Sequence, residues 1–136
     1  EALRTACVDF VERLDQPVDP EKLSDGQRLA LARALLLKPG VLLLDEALDA
    51  VDAATENRIL SRLRKAMKDK VIVIVSHRVS ALRHADVIYV MNGGTVVDVG
   101  THDELYERCR IYRDAVAGQA APRVDSSTAV SEEPSG

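Results

Sequence analysis

Apolar residues recur at spacings of three and four from Ala2 to Leu14 (Leu3, Cys7, Phe10, Val11 and Leu14), which predicts a short amphipathic helix broken by Pro17 and Pro20. Ser24 followed by Gln27 has the spacing of a capping box and predicts the start of a second helix. Because Leu29 to Leu37 is apolar on nearly every face, that helix is expected to be buried on most sides, ending at Lys38, Pro39 and Gly40. Val41 to Leu44 form a brief apolar run that closes in Asp45 and Glu46, which predicts a buried strand with acids at its carboxyl end. Asp52 is placed to cap a third helix running through Lys68. In that helix Ile59, Leu60, Leu63 and Met67 face one way, and Arg58, Arg62 and Lys65 another.

Val71 to Val75 is an unbroken β-branched run, the pattern of a parallel strand covered on both faces, and it leads into Ser76 and His77. After a short helical stretch, Val87 to Met91 and Thr95 to Val99 flank Asn92, Gly93 and Gly94, residue types that tolerate positive φ, so an antiparallel hairpin is expected. Thr101 with Glu104 makes another capping box, for a last helix to about Ala117. The remainder, 118-136, is rich in Ser, Ala, Pro and Glu and is expected to be a disordered tail. Strands alternating with helices predict an α/β fold with right-handed crossovers in a mostly parallel sheet. Ligands of such sheets sit beyond the carboxyl ends of the strands, where Asp45, Glu46, Ser76 and His77 all fall.

Composition narrows the function classes. A chain of 136 residues, 46% hydrophobic and 29% charged, has room for one globular domain and little more. With no Trp, three Tyr and one Phe, the core must be aliphatic, and platforms for stacking single-stranded nucleic acid are hard to assemble. The net charge of −4 gives no electrostatic reason to expect nucleic acid or an acidic membrane as partner. Cys7 and Cys109 have no CxxC or His-spaced companions, so no structural zinc site or disulfide framework is expected, and a reducing compartment is. No apolar run approaches the ~20 residues that cross a bilayer. The chain starts at Glu1 without a signal-peptide pattern and reads as a piece of something longer.

An apolar strand delivering Asp45 and Glu46 suits metal-assisted phosphoryl chemistry, because a rigid element presents one carboxylate to Mg²⁺ while the next positions water. Solvated carboxylates at a plain strand end are the alternative. His77 falls at the same sheet edge, within reach of a phosphate or of a water held by Glu46; a satisfied structural histidine is its alternative. Ser24, Asp25, Gly26 and Gln27 open a helix whose amides and dipole favour an anion, with Gly26 allowing close approach, or else simply cap that helix. His84 and His102 have no such placement.

Order and spacing raise the specificity. Leu23-Ser24-Asp25-Gly26-Gln27, Val41-Leu42-Leu43-Leu44-Asp45-Glu46, Asp49-Ala50-Val51-Asp52 and Val75-Ser76-His77-Arg78 resemble, by position, the signature loop, Walker B strand, D-loop and switch-histidine loop of the ATP-binding cassette (ABC) ATPase family. The Asn92-Gly93-Gly94-Thr95 hairpin and Gly100-Thr101-His102-Asp103-Glu104-Leu105 resemble its exporter-type branch. The resemblance runs from about Ala2 to Leu105 and implies the C-terminal half of a nucleotide-binding domain, a partial P-loop NTPase fold. It divides the chain into a helical-subdomain remnant (1-22), an ATPase-core half (23-117) and the tail (118-136). It implies MgATP hydrolysis powering transmembrane transport, at the cytoplasmic face of the membrane. Asp45 would hold Mg²⁺, Glu46 would polarise the attacking water and His77 would contact the γ-phosphate. Ser24, Gly26 and Gln27 would bind the γ-phosphate of ATP held by a second nucleotide-binding domain, with Asp52 near that seam, and a transmembrane transporter domain would be the other partner.

The sequence also departs from the family pattern. No G-x-x-x-x-G-K-[ST] stretch is present, so this chain alone is expected to lack a complete nucleotide site and to be inactive by itself. Asp25 replaces the usual first Gly of the signature, where its carboxylate would repel a phosphate unless turned away. Two residues are missing between Gln27 and Leu29, the Gly-rich stretch before the signature is shortened to Pro20, Glu21 and Lys22, and Leu48-Asp49 stand where Thr-Ser is commoner. The P-loop strand, which in this family lies between Val71-Val75 and Val87-Met91, is expected to be missing, leaving backbone donors and aliphatic faces without partners. Two other classes are therefore carried: a non-enzymatic truncated cassette serving as a partner module for an intact ABC ATPase, and the head of a chromosome-maintenance ATPase. The expected heptad coiled coil before the signature is not seen for the latter.

Overall fold

The computed structural model describes residues 1–10, 17, 19 and 22–120. Val11, Leu14, Pro20 and Glu21 lie outside the described residues, as does most of the expected tail, 121–136. The first helix is much shorter than its periodicity predicts. α1 covers Ala2–Thr5, and Cys7, at φ 54°, turns the chain out of the helix. α2 (Leu23–Leu36) starts at Lys22 with no side-chain cap, so the expected Ser24–Gln27 capping box does not form. The physical reason is competition, since the Gln27 side chain accepts a hydrogen bond from the Ala50 amide at 3.0 Å instead. Nor is α2 buried all round: Leu31 and Ala32 are buried, whereas Leu36 and Leu37 are exposed.

β1 (Val41–Asp45) and β2 (Val71–Val75) pair in parallel, with Val41 opposite Val71 and Asp45 opposite Val75. α3 (Ala53–Ala66) crosses between them. Its N-cap is Asp52, as expected, with the carboxylate accepting from the Thr55 amide at 2.9 Å. Ile59, Leu63 and Met67 on its inner face join Leu42, Leu44, Leu31, Val51 and Cys7 in the first core. The expectation that Val71–Val75 is covered on both faces fails, and Val41–Leu44, expected to be a buried strand, is buried on one face only. Leu42 and Leu44 point into this core, but Val41, Leu43, Val71, Val73 and Val75 are exposed on the opposite face. A β-branched run marks a strand without saying how many of its faces are covered.

A second core gathers Val79, Ile88, Val90, Leu105, Cys109 and Tyr112. Its elements are α4 (Val79–Leu82), β3 (Ile88–Asn92), β4 (Thr95–Gly100), α5 (His102–Arg108) and α6 (Arg110–Ala120). The antiparallel hairpin forms as read, with Asn92 opposite Thr95 and both turn residues, Gly93 and Gly94, at positive φ. Thr101 and Glu104 make the full capping box of α5. The helix read as running to about Ala117 is two helices, broken at Cys109, where φ −93° and ψ 106° leave the helical region. Among the described residues the sheet is not mostly parallel. One parallel pair and one antiparallel pair stand separately, and β2 and β3 are not hydrogen-bonded to each other.

Candidate functional site

Parallel pairing of β1 and β2 brings their two carboxyl ends side by side, so the residues that follow each strand meet at one edge. Asp45, the last residue of β1, is exposed there. The Glu46 amide donates to the Val75 carbonyl at 2.9 Å, extending the ladder one residue, and Glu46 itself sits at φ 46°. That left-handed backbone is unusual for a non-glycine residue and turns the chain sharply out of the strand. The Asp49 amide then returns to the Glu46 carbonyl at 3.3 Å, closing a tight turn that sets two carboxylates on one loop.

From β2, His77 approaches the same turn. Its Nδ1 lies 3.4 Å from Glu46 Oε1 and 3.7 Å from Asp49 Oδ2. The donor atoms of Glu46, Asp49 and His77 all fall within 4.8 Å of one another. The next residue, Arg78, fixes this approach. Its guanidinium donates to the Val51 carbonyl at 2.9 Å and the Leu48 carbonyl at 3.4 Å, and pairs with Glu56 of α3 at 3.4 Å. Glu56 is 2% exposed, so burial pushes its carboxyl up, while Arg78 and a hydrogen bond donated by the Ser80 hydroxyl pull it back. One charged pair thus pins three segments: the loop after β1, the start of α3 and the loop after β2.

The start of α2 reaches this loop through the Gln27–Ala50 hydrogen bond. Ser24 and Gly26 sit in the same first turn, and open space surrounds the Gly26 Cα where a side chain would be. No hydrogen bond among the described residues joins either of them to Glu46 or His77. Asp25 turns away from the open end of the helix, because its carboxylate is paired with Arg28, which also reaches Asp9 at 3.4 Å and the Cys7 carbonyl at 2.8 Å. Asp52 caps α3 and its carboxyl is held below the usual range by the Thr55 amide and hydroxyl. Of the two other histidines, His102 is engaged by the Tyr112 hydroxyl at 2.8 Å, and the His84 carbonyl accepts from Arg64.

Asp49 and Arg78 fall within motifs of the sequence that assign them no role, and nothing local marks Glu56 or Ser80. An acid within the polar first turn of a surface helix carries no sign of burial. Only the arrival of Arg78 from another strand makes Glu56 a buried ion-pair partner.

No family model matches the chain. Curated relatives do. It is 43% identical over 115 residues to the beta-(1→2)glucan export ATP-binding/permease protein of Rhodopseudomonas palustris, a match covering 79% of this chain and 19% of that one. It is 43% identical over 104 residues to an ABC multidrug transporter of Trichophyton rubrum, covering 75% of this chain and 8% of the relative. Among solved structures, a bacterial Atm1-family ABC exporter with ATP bound superposes with a TM-score of 0.77 at 36% identity, over 89% of this chain and 23% of the exporter. The chain therefore spans about a fifth of the length of the bacterial exporters it matches. The mixed α/β fold, the parallel strand pair with its acidic edge and these likenesses converge: the chain belongs to the ATP-binding cassette exporter family.

Proposed function

We propose that this chain is the C-terminal half of an exporter's nucleotide-binding domain, a partial P-loop NTPase fold that takes part in MgATP binding and hydrolysis to power transmembrane transport. The observation that carries the proposal is the convergence of Asp45, Glu46 and His77 at one sheet edge in a chain this similar to export ATP-binding proteins. Residues 1-22 belong to a helical subdomain and 23-117 to the ATPase core; the tail expected over 118-136 does not begin at 118, because 118–120 complete α6. Asp45, an exposed carboxylate at a rigid strand end, fits the all-oxygen donor preference of Mg²⁺ and would hold it. When bound, the ion supplies charge that offsets the phosphoryl oxygens. Glu46, one residue on and turned outward, orients and polarises the attacking water, and His77 contacts the γ-phosphate. Ser24, Gly26 and Gln27, at a helix start whose neighbouring acid is neutralised by Arg28, bind the γ-phosphate of ATP held by a second nucleotide-binding domain. Asp52 stands near that seam. The transmembrane transporter domain is the other partner, which places the chain at the cytoplasmic face of the membrane; no helix among the described residues is itself long and apolar enough to cross one.

The test is Glu46→Gln in the full-length transporter. Loss of a general base predicts a fall in ATP turnover of about 10²–10⁴-fold with ATP binding retained; turnover at the wild-type rate would refute the role of Glu46. A second reading is a truncated cassette acting as a non-enzymatic partner module for an intact ABC ATPase. Capture of an intact cassette by this chain that requires both ATP and Ser24 would select it.

A further inference from the structure

We propose that Glu46, Asp49 and His77 form a binding site for a borderline transition-metal ion such as Zn²⁺, separate from the Mg²⁺ position at Asp45. The donor set is one imidazole nitrogen and two carboxylate oxygens, the mixture that Zn²⁺ accepts and that Mg²⁺, which prefers oxygen alone, does not. The spacing fits. Bonds of about 2.0–2.1 Å in a tetrahedral shell put ligand atoms about 3.3–3.4 Å apart, and His77 Nδ1 lies 3.4 Å from Glu46 and 3.7 Å from Asp49. The third separation is within 4.8 Å, and rotation of the exposed Glu46 side chain closes it.

The three ligands come from two elements fixed by independent means. Glu46 and Asp49 share one backbone turn closed by the Asp49 amide at 3.3 Å, and His77 is delivered by the strand register and held by Arg78. Little loop ordering is therefore left to oppose binding. Glu46 and His77 are more than half exposed and Asp49 about a quarter, so the fourth coordination position opens to solvent, where water or an anion completes the shell. Asp49 stands where Ser is commoner in the resembled family pattern, so that pattern does not itself supply the third ligand. Occupancy would engage Glu46 and His77 and oppose hydrolysis; that consequence, unlike the binding itself, rests on the ATPase function proposed above.

The experiment is titration of the full chain, without nucleotide, with Zn²⁺ by calorimetry and with Co²⁺ by its visible absorption. One equivalent of Zn²⁺ is expected, with intense Co²⁺ bands of a four-coordinate N/O site, both persisting in excess Mg²⁺. Asp49→Ser, Asp49→Asn and His77→Ala should each weaken binding by about tenfold or more, since even groups behind metal ligands are worth that much. His84→Ala should leave it unchanged, and circular dichroism of each variant checks that the fold is kept. Binding that excess Mg²⁺ abolishes, or that is the same in folded Asp49→Ser, or no saturable binding, overturns the proposal. A full-length protein that binds Zn²⁺ yet shows no turnover of MgATP when freed of Zn²⁺ would overturn the ATPase reading and leave the metal site standing.

Discussion

At the residue scale, Arg78 does the most with one side chain. It satisfies two loop carbonyls and balances a carboxylate that is 2% exposed. Arg78→Ala leaves Glu56 charged and buried without its partner, which should cost about 3–5 kcal/mol in a urea titration. Glu56→Gln, which removes the buried charge and keeps a polar group for Ser80, should cost clearly less. Carboxyls elsewhere set the acid limit of stability. Asp98 is held below its ordinary value chiefly by the Arg108 guanidinium 3.0 Å away, and Glu104 by the Thr101 amide and hydroxyl. Carboxyls with depressed values stabilise the fold fully above their ordinary range near pH 4 and lose that contribution as pH falls through the depressed values. Glu56 has the opposite sign, because its raised value makes the ionised form a penalty that is relieved on acidification. Asp98→Asn should therefore flatten the loss of stability below about pH 4, measured as denaturation midpoint against pH. Asp98→Asn melting as steeply with acid as the parent would contradict this.

At the element scale, what the sequence made legible was the elements with a local cause. The Gly93-Gly94 turn, the Asp52 cap and the Thr101/Glu104 capping box each depend on atoms a few residues apart, and each forms as read. Gly94→Ala, at φ 79°, should lower stability by about 1–2 kcal/mol, read from thermal or urea unfolding. The elements misread were those whose fate lies elsewhere in the chain. The Ser24–Gln27 cap yields to a hydrogen bond from Ala50, 23 residues away. The first helix stops at Thr5, where Cys7 and its neighbours turn to face Arg28 and Arg62. Helical periodicity cannot register a competitor that distant.

At the scale of the whole molecule, two cores and two separate strand pairs leave a continuous apolar surface. Val41 lies beside Val71 and Leu43 beside Val73, all exposed, and Val75 extends the patch to the site edge. Contiguous exposed valine and leucine on paired strands drives association. Val73→Lys should reduce concentration-dependent light scattering of this chain while preserving its circular dichroism spectrum; Leu42→Lys, which loads a charge into the core, should unfold it instead. Equal scattering by Val73→Lys and the parent would rule the patch out as the cause.

By itself the sequence determined the order of helices and strands, the hairpin, two helix caps and the acids and histidine destined for one edge, because each is set by local periodicity or by motif spacing. Only the tertiary structure decided that Asp49 joins Glu46 and His77, that Arg78 and Glu56 lock the loops bearing them, and that one face of β1 and β2 stays open. Those outcomes depend on the parallel register and on which segments pack together, and burial is a property of neighbours that no single stretch of sequence carries.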